Sequence, residues 1–167
     1  MSQPQQIPSR CELDPDGLIL RLELVVPSDP RLIDDFVMKT SSLLSGAPCG
    51  DALQAVELAL HEALANAVVH GNHNDPAKAV RLCLAVREGC GIEVVVKDVG
   101  AGFDRDQLPS PVAEGNLLAS HGRGIFLMKH LMDEVDFRFD GGTEIRLQRR
   151  GATDTEAEPV VSAPRKA

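Results

Sequence analysis

The stretch Glu57–Asn72, ELALHEALANAVVHGN, decides how the rest of the chain is read. From Asp51 to His70 the apolar residues recur at helical spacing: Leu53, Val56, Leu60, Leu64 and Ala67 form one stripe. Leu58, Ala59, Ala63, Ala65 and Val69 fill the opposite side, so the helix is apolar almost all round and expected to be buried. Glu62 and Asn66 interrupt it at i and i+4, which places a carboxylate and an amide on one face a turn apart. Read alone, they could be ordinary polar residues of a helix surface. In an apolar setting, however, unused polarity is costly. A carboxylate held there is suited to act as a base and an amide oxygen is a hard ligand for Mg2+.

Three further segments follow in order. Asp98-Val99-Gly100-Ala101-Gly102 closes a run of Ile and Val, and the glycines allow close approach of a ligand to the backbone. An ionised Asp98 only accepts hydrogen bonds, so it would pair with the exocyclic amine of adenine and repel the carbonyl of guanine. Gly122-Arg123-Gly124 precedes a helical pattern beginning at Ile125, a position whose free N–H groups and dipole suit phosphate, with Arg123 as a fork of donors. Gly141-Gly142-Thr143 by itself reads as a hairpin turn. Each segment also has a plain structural reading as a turn or a helix start.

The surrounding pattern is α+β. Leu18–Val26 reads as a strand ended by Pro27, and Pro30–Leu44 as a helix with Leu32, Phe36, Leu43 and Leu44 on one side and Ser28 or Asp29 as its cap. Val80, Leu82, Leu84 and Val86 alternate with polar or small residues, as do Ile92, Val94 and Val96 after a Gly-Cys-Gly turn, which predicts a β-hairpin. Strands near Val135–Phe139 and Thr143–Leu147 close the order. Residues 102–122 lack a clean period and read as a lid. Residues 1–16 and 151–167 carry too few apolar groups to order themselves and are expected to be flexible tails around one domain, residues 17–150.

Bulk properties narrow the function. The chain has 167 residues, 43% of them hydrophobic, enough for one core. Seventeen Lys and Arg against 25 Asp and Glu give a net charge of -8, which repels a phosphate backbone, so direct nucleic-acid binding is not expected. No stretch approaches the roughly 18 apolar residues of a membrane span and the N-terminus lacks an apolar leader, so a cytoplasmic protein without membrane attachment is expected. Cys11, Cys49, Cys83 and Cys90 show no C-x-x-C pair and read as reduced, mostly buried thiols. His61-Glu62 fails as H-E-x-x-H because position 65 is Ala, and neither a P-loop nor a third glycine for G-x-G-x-x-G is present. His70, His73 and Asp75 are accounted for by the Asn74-Asp75-Pro76 turn.

Taken together and in this order, the segments resemble the GHKL superfamily of ATP-binding domains, and most of all the small anti-sigma serine kinases of bacterial partner-switching systems. EALANAVVHGN and GRGIFLMKHLMDEV are the most specific parts, and the likeness covers about residues 18–150. It implies a Bergerat ATP-binding fold: a two-layer α/β sandwich whose largely antiparallel mixed sheet is covered on one face by about three helices. It further implies that Glu62 is the general base, Asn66 the Mg2+ ligand and Asp98 the reader of the adenine amine, with Gly100 and Gly102 lining the base. Gly122, Arg123 and Gly124 would hold phosphates, and Thr143 would support the adenine through water.

The activity so implied is transfer of the ATP γ-phosphate to a serine or threonine of a STAS-type antagonist, coupled to sequestration of a sigma factor or similar client, in a homodimer. The alternative is a nucleotide-gated binding module without chemistry.

Overall fold

A computed structural model describes residues 5–46, 49–50, 52–101, 120–139 and 141–151. Five strands, β1 (Leu18–Pro27), β2 (Ala79–Arg87), β3 (Ile92–Lys97), β4 (Glu134–Phe139) and β5 (Thr143–Arg149), form one sheet in the order β1-β2-β3-β5-β4. All four pairings are antiparallel. The expected mixed sheet is therefore wholly antiparallel among these five strands. Three helices, α1 (Ile33–Leu44), α2 (Ala52–Ala65) and α3 (Ser120–Leu131), accompany it. The two-layer α+β architecture and the element order agree with the reading of the sequence.

Alternation in the strands divides the sheet into two faces. Val80, Leu82, Leu84 and Val86 of β2, Ile92, Val94 and Val96 of β3, and Ile145 and Leu147 of β5 share one buried core with Val56, Leu60 and Leu64 of α2 and Met128 of α3. The register sets Leu84, Val94 and Leu147 side by side across three strands. On α1 the buried residues are Ile33, Val37, Thr40 and Leu44, while Leu43, expected on the packed side, is 59% exposed. The buried Thr40 hydroxyl is satisfied by the Phe36 carbonyl at 2.8 Å. Leu58, at 48% exposure, shows that α2 is not buried on all sides.

Residues 5–16, expected as a flexible tail, instead cross the opposite face of the sheet as a strap. Few of their side chains are apolar, so hydrophobic burial, at Cys11 and Leu13, holds them only in part. Cations of the strands hold them too, by capping the strap's free carbonyls: Arg81 Nε reaches Pro8 O at 2.9 Å, Arg146 reaches Glu12 O at 3.1 Å, and Arg87 reaches Asp14 O and Asp16 O, each at 2.7 Å. The same cations pair with Glu23, Glu93 and Glu144 on that face. Gln6 bridges to Lys78 beside the start of β2.

A disulfide joins Cys11 of the strap to Cys83 of β2, with Cα atoms 6.4 Å apart. This corrects the expectation of four reduced thiols. The two cysteines are 72 residues apart in sequence, beyond the reach of spacing rules, and only the strap's course over β2 brings them together. With Val95 they make a small second core. Cys49 and Cys90 remain thiols, and burial, with a hydrogen bond to Cys90, pushes Cys49 up to about 11.

No helix among the described residues is long and apolar enough to cross a membrane.

Candidate nucleotide site

The site grows from the end of α2. After Ala65 the helix continues as a π-helical segment, Asn66–Gly71, with the Asn72 amide bonded to Ala67 O, five residues back, at 2.8 Å. Segments of this kind are rare and cluster at functional positions. Glu62 is partly buried on α2, and Asn66, at the start of the widened turn, is 8% exposed. His61 turns the other way, its Nε2 lying 3.0 Å from Asp34 on α1. Among the described residues no group of three His, Cys, Asp or Glu side chains is arranged to hold a metal.

Helix α3 packs on this part of α2. A Cβ at Gly124 would stand 2.6 Å from Glu62 Oε2 and 3.8 Å from Asn66 Nδ2, so the glycine lets the backbone of α3 come against Glu62 without displacing its carboxylate. The helix begins at Ser120 rather than at Ile125, which puts Gly122, Arg123 and Gly124 inside it instead of before it. Gly124 is buried and Arg123 exposed. Residues 102–119, most of the expected lid, lie outside the described residues, and Gly102 is one of them.

Asp98 follows β3 and is 4% exposed. Its Oδ1 accepts from the amides of Gly100 and Thr143, both at 2.9 Å, and its own amide donates to Thr143 O at 3.0 Å. Desolvation raises the carboxyl above the usual carboxylate range, opposed by these amides, by the Thr143 hydroxyl beside it and by Lys78. That hydroxyl is buried but lacks hydrogen-bonding geometry to any described group, as suits a group waiting for water or ligand. Among the described residues both amides go to Oδ1, which leaves Oδ2 for an incoming donor.

Glycines form the walls. A Cβ at Gly71 would lie 2.2 Å from Asp98 Oδ2, one at Gly100 2.0 Å from Gly71 O, and one at Gly142, where φ is 152°, 2.1 Å from Asp98 O. The ends of α2, β3 and the β4–β5 turn therefore meet around one carboxylate. A cavity of about 570 Å³ adjoins it, lined by Asp98, Val99, Gly142 and Thr143 and by Ile7 and Pro8 of the strap.

Two groups thus emerge, Glu62, Asn66 and Gly124 on one side and Asp98, Gly100 and Thr143 on the other, joined by the π-helical segment. A buried acceptor with a free oxygen, an orphaned hydroxyl and backbone cradles fit a purine nucleotide. The amide oxygen of Asn66 is a hard donor of the kind that suits Mg2+, with the Glu62 carboxylate one turn away. Gly71, Asn72 and Ser28 belong to the frame, and the sequence reading assigned none of them a part there. Their one signal, Gly-Asn directly after a helical run, equally marks an ordinary helix end.

Comparison with known proteins identifies the family of the chain. Residues 26–149 match the histidine kinase-like ATPase domain family. The chain is 29% identical over 135 residues to the serine-protein kinase RsbW of Bacillus subtilis, covering 77% of this chain and 84% of that one. It is 30% identical over 107 residues to the anti-sigma F factor of Geobacillus thermodenitrificans, covering 61% and 72%. Among solved structures, the RsbU and RsbW domains of a Mycobacterium tuberculosis protein superpose with a TM-score of 0.59 at 17% identity. That match spans 79% of this chain and 32% of the other, and at such identity it speaks for the fold alone.

Proposed function

This chain belongs to the histidine kinase-like ATPase domain family, and we propose that it is an ATP-dependent serine/threonine protein kinase that phosphorylates a STAS-type antagonist and sequesters a sigma factor or similar client. The observation that carries the reading is the meeting of Glu62, Asn66 and Gly124 at one end of the π-helical segment with Asp98, fixed by Thr143 and Gly100, at the other. Relatives named serine-protein kinase and anti-sigma factor support the same activity.

Bound at this site, Mg-ATP supplies the transferable γ-phosphate and a cation that neutralises its oxygens. The protein's part in such a transfer is positioning and charge balance. Asp98 accepts the adenine amine through Oδ2, and Thr143 backs it from β5. Asn66 offers its amide oxygen to the cation. Gly122, within the first turn of α3, offers its amide to phosphate, Gly124 brings the helix against Glu62, and Arg123 is the adjacent exposed cation. Glu62 takes the proton of the attacking hydroxyl, so that serine oxygen gains phosphorus as the β–γ bridging oxygen leaves with ADP. The client and the antagonist are proteins, the chain acts as a homodimer, and its setting is the cytoplasm.

Incubation with Mg-ATP and the STAS partner, followed by mass mapping of phosphoserine and phosphothreonine, tests this directly. Glu62→Gln should retain Mg-ATP binding and lose transfer by about 10²- to 10⁴-fold. Undiminished transfer would refute Glu62 as base. Stable bound ATP with no phosphoprotein, in the unaltered protein, would instead identify a binding module.

A further inference from the structure

Asn72 is wholly buried and uses its amide on three separate segments. Nδ2 donates to Ser28 Oγ at 2.7 Å, just beyond β1, and to Ala79 O at 3.0 Å, at the start of β2. Oδ1 accepts from the Val99 amide at 3.1 Å, within the turn that carries Asp98. The amide orientation is fixed by chemistry: a carbonyl on one side can only accept and an N–H on the other can only donate. The residue before it, Gly71, brings its backbone against Asp98 itself.

We propose that Asn72 is a positioning residue that holds the Asp98–Gly100 turn in register with the end of α2 and so sets the preference of the site for adenine over guanine nucleotides. This rests on the reading of Asp98 as the acceptor of the adenine amine. The Asp98 carboxylate is pinned on one side by Thr143 and on the next residue by Asn72, so its free oxygen has one direction. Discrimination by a hydrogen-bond acceptor depends on that direction, because a tilted carboxylate tolerates the wrong base edge. Only an amide of this length satisfies all three partners. Asp would set an oxygen against Ala79 O, and Ala would leave the Val99 amide and Ser28 without their partner.

The test is calorimetric titration of the full chain with Mg-ATP and with Mg-GTP, for the unaltered protein, Asn72→Ala, Ser28→Ala and Asp98→Asn. Asn72→Ala is expected to lower the ratio of ATP to GTP affinity by about tenfold, the scale of one misdirected hydrogen bond in a buried site. Ser28→Ala, which loosens the anchor and leaves the Val99 bond, should lower the ratio by about threefold and decides the matter if Asn72→Ala does not fold. A residue that merely stabilises the turn would weaken both nucleotides equally and leave the ratio alone. That result, together with a ratio lost in Asp98→Asn, would overturn the role of Asn72 and leave the site intact. An unchanged ratio in Asp98→Asn would overturn the adenine assignment and this inference with it.

Discussion

Asp98 occupies the space that a side chain at Gly71 would need: a Cβ there would fall 2.2 Å from Oδ2. The carboxylate cannot simply swing aside, because Oδ1 is held by two amides. Gly71→Ala should therefore displace either the helix end or the acid, costing about 1–3 kcal/mol of stability by overpacking and weakening Mg-ATP binding by tenfold or more. Urea unfolding and calorimetric titration of the same variant measure the two effects. Unimpaired binding would show that the acid is not held by this contact.

Gly124→Ala presents the opposite balance. Glu62 Oε2 is the end of a partly buried side chain and can yield, while alanine inside α3 gains about 1 kcal/mol of helix propensity. The fold should be as stable as before or slightly more so. With Glu62 as the proposed base, phosphotransfer should fall by roughly ten- to a hundredfold, since a displaced carboxylate loses its alignment. A variant with altered melting and full activity would contradict the contact.

Burial sets the sign of the pH dependence at Asp98. Its folded value is raised, so the folded protein holds this proton more tightly than the unfolded chain. The associated stability is present below the ordinary carboxylate range and is lost as pH rises through the raised value. Asp98→Asn removes the ionisation, so its stability relative to the unaltered protein should climb with pH across that window and then level off, while the preference for ATP over GTP is lost. Denaturation series at several pH values would reveal the trend, and a relative stability that falls with pH would reverse the sign.

Reduction of the Cys11–Cys83 bond, or Cys11→Ser, should cost about 4 kcal/mol by the chain-entropy estimate for a loop of this length. Calorimetric scans with and without reductant test the size, and limited proteolysis before residue 17 tests whether the strap is released. A strap that stays protected after reduction would show that the arginine contacts suffice.

Much of this was legible in the residues. The β2–β3 hairpin followed from strict alternation, and Glu62, Asn66 and Asp98 stood out because polar groups in apolar runs are conspicuous. The strap was not legible, because what orders it lies elsewhere: donors from Arg81, Arg87 and Arg146 on distant strands and one thiol on β2. Nor was the start of α3, where Gly122 and Gly124 argue against a helix by propensity. Their place is set by packing, since Gly124 is the residue that fits against Glu62. Asn72 escaped notice because a buried amide after a glycine looks the same in sequence as an exposed one.

The π-helical turn at Asn66–Gly71 amounts to an α-helix that has taken in one extra residue. The Glu62–Asn66 group and the Asp98 group are thus related by a count. Removing a single residue between Ala67 and His70 would let the helix close into its ordinary spacing without breaking, leave Glu62 and Asn66 where they stand, and turn Gly71 and Asn72 by about 100° away from Asp98 and Val99. Chain length in this one turn, more than the identity of any side chain in it, sets where Gly71 and Asn72 stand relative to Glu62 and Asn66.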